Sequence, residues 1–298
     1  MPHFSPQPEA PFITRRTGLL AALGAALTGC SALDVVDALV PADTYRSRNA
    51  MPYGPGARQR LDVYQPLNRP TASGPPIVVF FYGGNWNSGN REAYRFVGEA
   101  LASAGAVVVI PDYRLYPEVR YPDFLRDCAA AVAWVFAHAG ELGGDPSQVM
   151  VMGHSAGAYN AAMLALDPRW LGGERTRLAG LIGIAGPYDF LPIKNPVAQQ
   201  VFNWPVTPLD SQVFQHLTSA APRTLLIAPR QDLVVDPERN TKGLGRRLRN
   251  VGVDATAQVF DGLNHASVIG ALARPLRFLA PVREQVIAFL GLASSAGK

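Results

Sequence analysis

The sequence predicts an α/β domain of three layers, a doubly wound and mostly parallel sheet with a short cap insertion, and three observations predict it. Short, nearly continuous apolar runs recur at Ile77 to Tyr82, Val107 to Ile110, Val149 to Met152, Leu178 to Ile184 and Thr224 to Ala228. Segments of helical length and period lie between them, at Arg91 to Ala104, Phe124 to Leu142 and Ala156 to Leu166. Strands that read apolar throughout are buried on both faces, and their alternation with amphipathic helices implies right-handed crossovers. The third observation is a break in this rhythm at about 187–222, rich in Pro and aromatics (Tyr188, Phe190, Phe202, Trp204, Phe214) and too long for an ordinary connection. It reads as a cap.

In chain order, residues 1–29 read as a signal peptide. The apolar run from Gly18 to Leu27 is too short to span a bilayer and suits the core of an export signal. Leu27-Thr28-Gly29-Cys30 resembles a bacterial lipobox, which makes Cys30 the expected lipidation site. Thr14-Arg15-Arg16-Thr17-Gly18-Leu19-Leu20 resembles a twin-arginine signal, with Gly18 where that pattern usually has Phe. The expected location is the bacterial cell envelope, membrane-anchored through Cys30; a cleaved signal with a chance Cys is the alternative. Residues 30–55, with Pro41, several polar residues and no sustained periodicity, read as a tether. The catalytic domain is expected over 56–293, opening on a half-buried edge strand at Arg60 to Tyr64.

Composition bounds the function classes. With 48% hydrophobic and 17% charged residues in 298, the chain is globular and has enough apolar residues for one sizeable core. The net charge of +4 comes mainly from scattered Arg, so no nucleic-acid stripe is expected. Two cysteines make no disulfide framework: Cys30 belongs to the leader, and Cys128 falls in the apolar pattern of a helix as a small buried hydrophobe.

In such sheets, ligands bind at the carboxyl ends of the strands, so the loops after the apolar runs are where chemistry is sought. Val149-Met150-Val151-Met152 runs into Gly153-His154-Ser155-Ala156-Gly157 and then into an Ala-rich helix. A G-x-S-x-G match gains its weight from that strand-to-helix junction, where flanking glycines allow a tight, strained turn that exposes Ser155 as a nucleophile. A serine hydroxyl needs a base, and the chain order in this kind of site is Ser, acid, His. Of five histidines, His3 lies in the leader, His138 precedes the serine, His154 points away from Ser155 by adjacency, and His216 precedes the best acid. His265, in the loop Asp261-Gly262-Leu263-Asn264-His265 after the strand-like Thr256 to Phe260, remains as the base. Asp232, after Leu225-Leu226-Ile227-Ala228, is the expected orienting acid; Asp236 and Asp189 are rivals, read as a surface charge and a cap-hinge residue. Tyr82-Gly83-Gly84-Asn85-Trp86 ends the first central strand, and its glycines let backbone N–H groups of Gly83 and Gly84 approach a substrate oxygen together with that of Ala156. Tyr82, Trp86 and Tyr159 are candidate pocket residues.

These stretches carry a resemblance. Tyr82-Gly83-Gly84-Asn85-Trp86 looks like a His-Gly-Gly-x-Trp oxyanion loop, Asp112-Tyr113-Arg114-Leu115-Tyr116-Pro117-Glu118 is similar to Asp-Tyr-Arg-Leu-Ala-Pro-Glu, and Gly144-Asp145-Pro146 leads to the Ser155 motif. With the Asp232 and His265 loops, the chain from about 58 to 291 resembles the α/β-hydrolase superfamily, in its hormone-sensitive-lipase-like and kynurenine-formamidase-like (BD-FAE-type) esterase branch. The resemblance implies an α/β-hydrolase fold and hydrolysis of a small carboxylic ester or activated amide through an acyl-enzyme, with no cofactor and no metal. It implies Ser155, Asp232 and His265 as the triad and Gly83, Gly84 and Ala156 as oxyanion donors. Tyr82 departs from the family's His, and Ala228 to Asp232 lacks its usual His-Gly start. Esters of short or medium acyl or aryl groups are the leading expectation. An arylformamidase-like amide hydrolase and a catalytically silent binding module are the alternatives, and the oligomeric state is open.

Overall fold

The computed structural model describes residues 39–68 and 74–293. The leader at 1–29 and Cys30 lie outside the described residues. Eight strands form one sheet: β1 (Tyr45–Pro52), β2 (Arg60–Pro66), β3 (Ile77–Phe81), β4 (Val107–Pro111), β5 (Val149–His154), β6 (Leu178–Ile184), β7 (Thr224–Pro229) and β8 (Ala255–Phe260). Their spatial order is β1-β2-β4-β3-β5-β6-β7-β8, antiparallel at β1/β2 and β2/β4 and parallel from β4 to β8. The predicted doubly wound class is therefore the observed one.

Every residue of β3, β4 and β5 is buried, which is why these stretches read as unbroken apolar runs. The helices α1 (Arg95–Ala102), α2 (Asp123–His138) and α3 (Ala156–Leu166) fall where periodicity placed them, and α4 (Pro168–Leu171) follows directly. Helix α3 is buried along its whole length, and its Ala and Gly content lets it press on the sheet. A Cβ on Gly157 would stand 2.0 Å from the carbonyl oxygen of Phe81, so only glycine allows that approach. Beyond the sheet centre come α5 (Pro196–Val201), α6 (Gly243–Asn250), α7 (Ser267–Gly270) and α8 (Val282–Phe289).

Two expectations are corrected. The segment 30–55 is not a tether throughout, because Tyr45–Pro52 is a strand of the sheet, and the folded domain begins before residue 56. Its residues are mostly exposed, so it has no apolar signature; its place is set by backbone pairing to β2 and by the Ala50 amide, which donates to Asp62 Oδ1 at 2.7 Å. Consequently Arg60–Pro66 is not the sheet edge. Covered by β1, its residues from Leu61 to Tyr64 are all buried.

The strand order reverses around β3, whose neighbours are β4 and β5. The loops leaving β3 and β5 thus open at the crevice where such folds hold ligands. Two further loops, after β7 and β8, end on the same side through the parallel register Pro229↔Phe260.

Candidate active site

The turn between β5 and α3 holds Ser155 at φ 53° and ψ −123°, a backbone conformation rarely adopted by a residue with a side chain. Close packing enforces it: a Cβ on Gly153 would lie 2.2 Å from the Gly157 carbonyl oxygen. The Ser155 amide donates to the Ile184 carbonyl at 2.9 Å, pinning the turn to β6.

Three loops then converge. Ser155 Oγ donates to His265 Nε2 at 2.9 Å, and His265 Nδ1 donates to Asp232 Oδ2 at 2.7 Å. The Asp232 side chain is fully covered, and its other oxygen accepts the amides of Val234 and Val235 at 2.8 and 3.0 Å. Burial pushes the Asp232 pKa up, but the His265 hydrogen bond and the two amides outweigh it and hold the carboxyl below its ordinary value. A carboxylate so held fixes the tautomer in which His265 Nε2 accepts from serine. The rivals line the same cavity but serve other partners and not His265: Asp189 is paired with Arg239 at 2.9 Å, and the exposed Asp236 caps the amides of Glu238 and Arg239 at 2.8 and 3.2 Å.

The loop after β3 closes against Ser155. The Gly84 carbonyl accepts from Asn87 and Ser88, and Gly84 needs its φ of 126° and the absence of a side chain, since a Cβ would lie 2.2 Å from Ser88 O. Asn85 and Trp86 follow with φ of 54° and 58°. The amides of Gly84, Asn85 and Ala156 take no backbone acceptor among the described residues. Gly83 gives the loop its close approach to Ser155. Burial pushes the pKa of the nearby Tyr94 hydroxyl up to about 12, with the Gly83 backbone opposing it.

Of the expected pocket residues, Trp86 lines the cavity at Ser155, while Tyr82 and Tyr159 do not. Tyr82 is fully buried; its hydroxyl donates to Asp112 Oδ1 at 2.8 Å and accepts from Arg58 at 2.8 Å, and its ring stacks on Tyr113 at 4.8 Å. Asp112 in turn is paired with Arg91, which also reaches Asp62 at 2.9 Å. At the position of the family's His, tyrosine therefore works as a strut beneath the loop. Tyr159 is likewise buried, its hydroxyl donating to the Ser211 carbonyl at 2.8 Å and its ring meeting Trp86 edge-on at 5.3 Å.

The 187–222 insertion forms one wall. Asn240 Oδ1 accepts the amides of Tyr188 and Asp189 at 2.6 and 2.9 Å, fixing its start. Phe202 packs edge-on against Trp86 at 4.9 Å and Phe190 at 5.0 Å, so much of the aromatic content seats the insertion and does not face substrate. The cavity in front of Ser155 has a volume of about 400 Å³ and includes Trp86, Phe190, Ile193 and Ala198. A second, of about 540 Å³, opens on the His265 side between Leu233, Val234, Leu263 and Asn264.

Sequence reasoning missed Asn85, whose Nδ2 donates to Asn195 Oδ1 at 3.1 Å, and His154. The His154 ring is buried, 5.1 Å from the His265 ring, with Nε2 2.9 Å from the His265 carbonyl oxygen. Burial, and next the neighbouring His265, push its pKa down to about 3. Adjacency to the nucleophile suggested only that it points away; its partner lies 111 positions along the chain.

A family model described as BD-FAE matches residues 61–220. Esterase LipC of Mycobacterium tuberculosis (strain ATCC 25618 / H37Rv) is 30% identical over 228 residues, 70% of this chain and 56% of that protein. A probable isoprenylcysteine alpha-carbonyl methylesterase, ICMEL1 of Arabidopsis thaliana, is 25% identical over 260 residues, 77% of this chain and 52% of that protein. The chain spans about half the length of these curated relatives. Among solved structures, the apo form of Thermogutta terrifontis esterase 2 shares the fold with a TM-score of 0.69 at 22% identity, covering 86% of this chain and 98% of that one.

Proposed function

The chain belongs to the BD-FAE family, with the α/β-hydrolase fold, and from that premise we propose that it hydrolyses carboxylic esters through an acyl-enzyme on Ser155. The observation that carries this reading is the unbroken hydrogen-bond relay from Ser155 through His265 to Asp232 at a cavity with both apolar and charged lining. Ser155 Oγ attacks the ester carbonyl as His265 Nε2 takes its proton, and Asp232 stabilises the imidazolium without taking the proton itself. The amides of Gly84 and Ala156 face the developing oxyanion, each such donor contributing about 3 kcal/mol to lowering the barrier. His265 then passes the proton to the departing alcohol, and water, activated by the same base, hydrolyses the acyl-enzyme.

Proton transfer to the alcohol assigns the two cavities. The leaving oxygen must lie next to His265 Nε2, so the alcohol portion lies along Leu233, Val234 and Leu263, and the acyl portion fills the space at Ser155 beside Trp86 and Phe190. A cavity of about 400 Å³ suits a small to medium acyl or aryl group. Of the charged groups that line it, Arg239 is paired with Asp189 at 2.9 Å, while Lys194 and Asp236 also border the cavity. Export with a lipid at Cys30 belongs to the same proposal and rests on the leader pattern alone.

The test is hydrolysis of p-nitrophenyl esters from acetate to palmitate by the chain from Ser31 onward, with Ser155→Ala beside it. A burst and turnover lost in the variant support the mechanism, and the chain-length optimum sizes the acyl cavity. Absence of turnover on every ester by the wild type sinks the reading. Palmitate labelling of the full chain and of Cys30→Ala tests the anchor, and an unlabelled wild type removes it.

A further inference from the structure

We propose that His154 is a positioning residue for the reaction: a neutral imidazole that ties the backbone of the His265 loop to the strand bearing the nucleophile. The inference rests on the reading of Ser155 and His265 as nucleophile and base.

The tautomer of His154 follows from its partners. A carbonyl oxygen only accepts, so the 2.9 Å contact between His154 Nε2 and the His265 carbonyl requires the proton on Nε2. Nδ1 is buried without a hydrogen-bond partner among the described residues, and it faces Gly83, where an added Cβ would lie 3.1 Å away. A second proton on Nδ1 would create a buried cation with no acceptor. His154 therefore donates one hydrogen bond and adds no charge beside the base, where a carboxylate at the same position would repel the His265 backbone oxygen.

The bond has a particular geometric task. The loop that carries His265 is shaped by local contacts: Asn264 Oδ1 accepts the amides of Ala266 and Ser267 at 3.0 and 2.8 Å, and the Asn264 amide donates to Ser267 Oγ at 2.8 Å. These bonds turn the loop locally and do not reach the Ser155 turn. The His154 bond reaches across from β5, whose last residue is adjacent to the nucleophile, to the peptide of the base itself. During turnover His265 Nε2 must serve first the serine oxygen and then the leaving oxygen. An error of about 1 Å in such an arrangement costs roughly 100-fold in rate. His154 thus joins the Ser155 turn and the base in one hydrogen-bonded frame.

Two carboxamides differing by one methylene separate the role from general packing. His154→Gln keeps an N–H donor at the reach of Nε2, and His154→Asn falls short of the His265 carbonyl. The expected result is kcat lowered about 10- to 100-fold in His154→Asn with KM nearly unchanged, and restored to within about threefold of wild type in His154→Gln. The second readout is the downfield proton resonance of His265 Nδ1–H on Asp232, sharp in wild type and His154→Gln and broadened in His154→Asn. Equal kcat in the two variants, or losses that track melting temperature with the resonance unchanged, overturns the proposal. The resonance needs no substrate, so it judges His154 even if no ester is turned over, an outcome that would instead sink the esterase reading.

Discussion

Gly83 and Ser155 face each other with room for no more than hydrogen between them: a Cβ on Gly83 would lie 3.0 Å from Ser155 Cβ and 3.1 Å from His154 Nδ1. The loop after β3 and the turn after β5 are fitted at this contact, and the width of the oxyanion site is set there. Gly83→Ala should push the nucleophile off line, lowering kcat/KM of ester hydrolysis about 100-fold with a stability loss of about 1–3 kcal/mol. Steady-state kinetics beside urea unfolding would check it, and an unimpaired kcat/KM would contradict the close fit.

The positive φ of Ser155 stores strain that a glycine would not feel. Ser155→Gly should abolish activity and raise stability by about 1 kcal/mol or more over Ser155→Ala, which keeps the Cβ and the strain. Chemical denaturation of the two variants reads the difference directly.

Removing the charge that orients the base has a larger effect than its distance from substrate implies. Asp232→Asn can donate from its amide to His265 Nδ1 and so favours the wrong tautomer, and kcat should fall about 10⁴-fold while the protein remains folded. Ester turnover and circular dichroism on the same sample test both halves of the statement.

Stability should depend on pH through His154. Its native pKa of about 3 lies below the ordinary 6.5, so the unfolded chain binds a proton that the native state refuses. The His154 contribution is intact above pH 6.5 and is lost as pH falls toward 3, with a slope of about 1.4 kcal/mol per pH unit. Asp232, also depressed, adds a loss of the same sign as it gains a proton at the acid end. Comparing urea midpoints of wild type and His154→Gln across this range should show the steeper decline only in wild type.

Tyr82→Phe separates scaffold from pocket. Deleting the hydroxyl leaves Asp112 without one buried donor and Arg58 without one acceptor, which should cost about 1–3 kcal/mol of stability. Because Tyr82 does not line the cavity, KM for small esters should change less than twofold, and a large KM shift would return Tyr82 to the pocket.

What the sequence by itself determined is local or one-dimensional. The apolar runs of β3 to β7 specify strands buried on both faces, because every residue of each run is buried except the half-buried Ala179. The strand-to-helix position of Gly153 to Gly157 singles out Ser155, and chain order with loop context selects His265 and Asp232, the side chains the fold joins in one relay. What only the tertiary structure decided depends on partners distant in sequence. β1 has no apolar signature, since an exposed edge strand is held by its neighbour's backbone. Tyr82 and Tyr159 looked like pocket residues by their adjacency to the motifs, but the direction of a side chain is set by what packs around it, and both turn inward to buried acceptors. Asp112 met Tyr82, and His154 met the backbone of His265, only once the crossovers had brought β3, β4, β5 and the loop after β8 to one end of the sheet. Sequence periodicity reports which face of an element is buried; it holds no information on which distant residue waits there, and that pairing sets the geometry of this site.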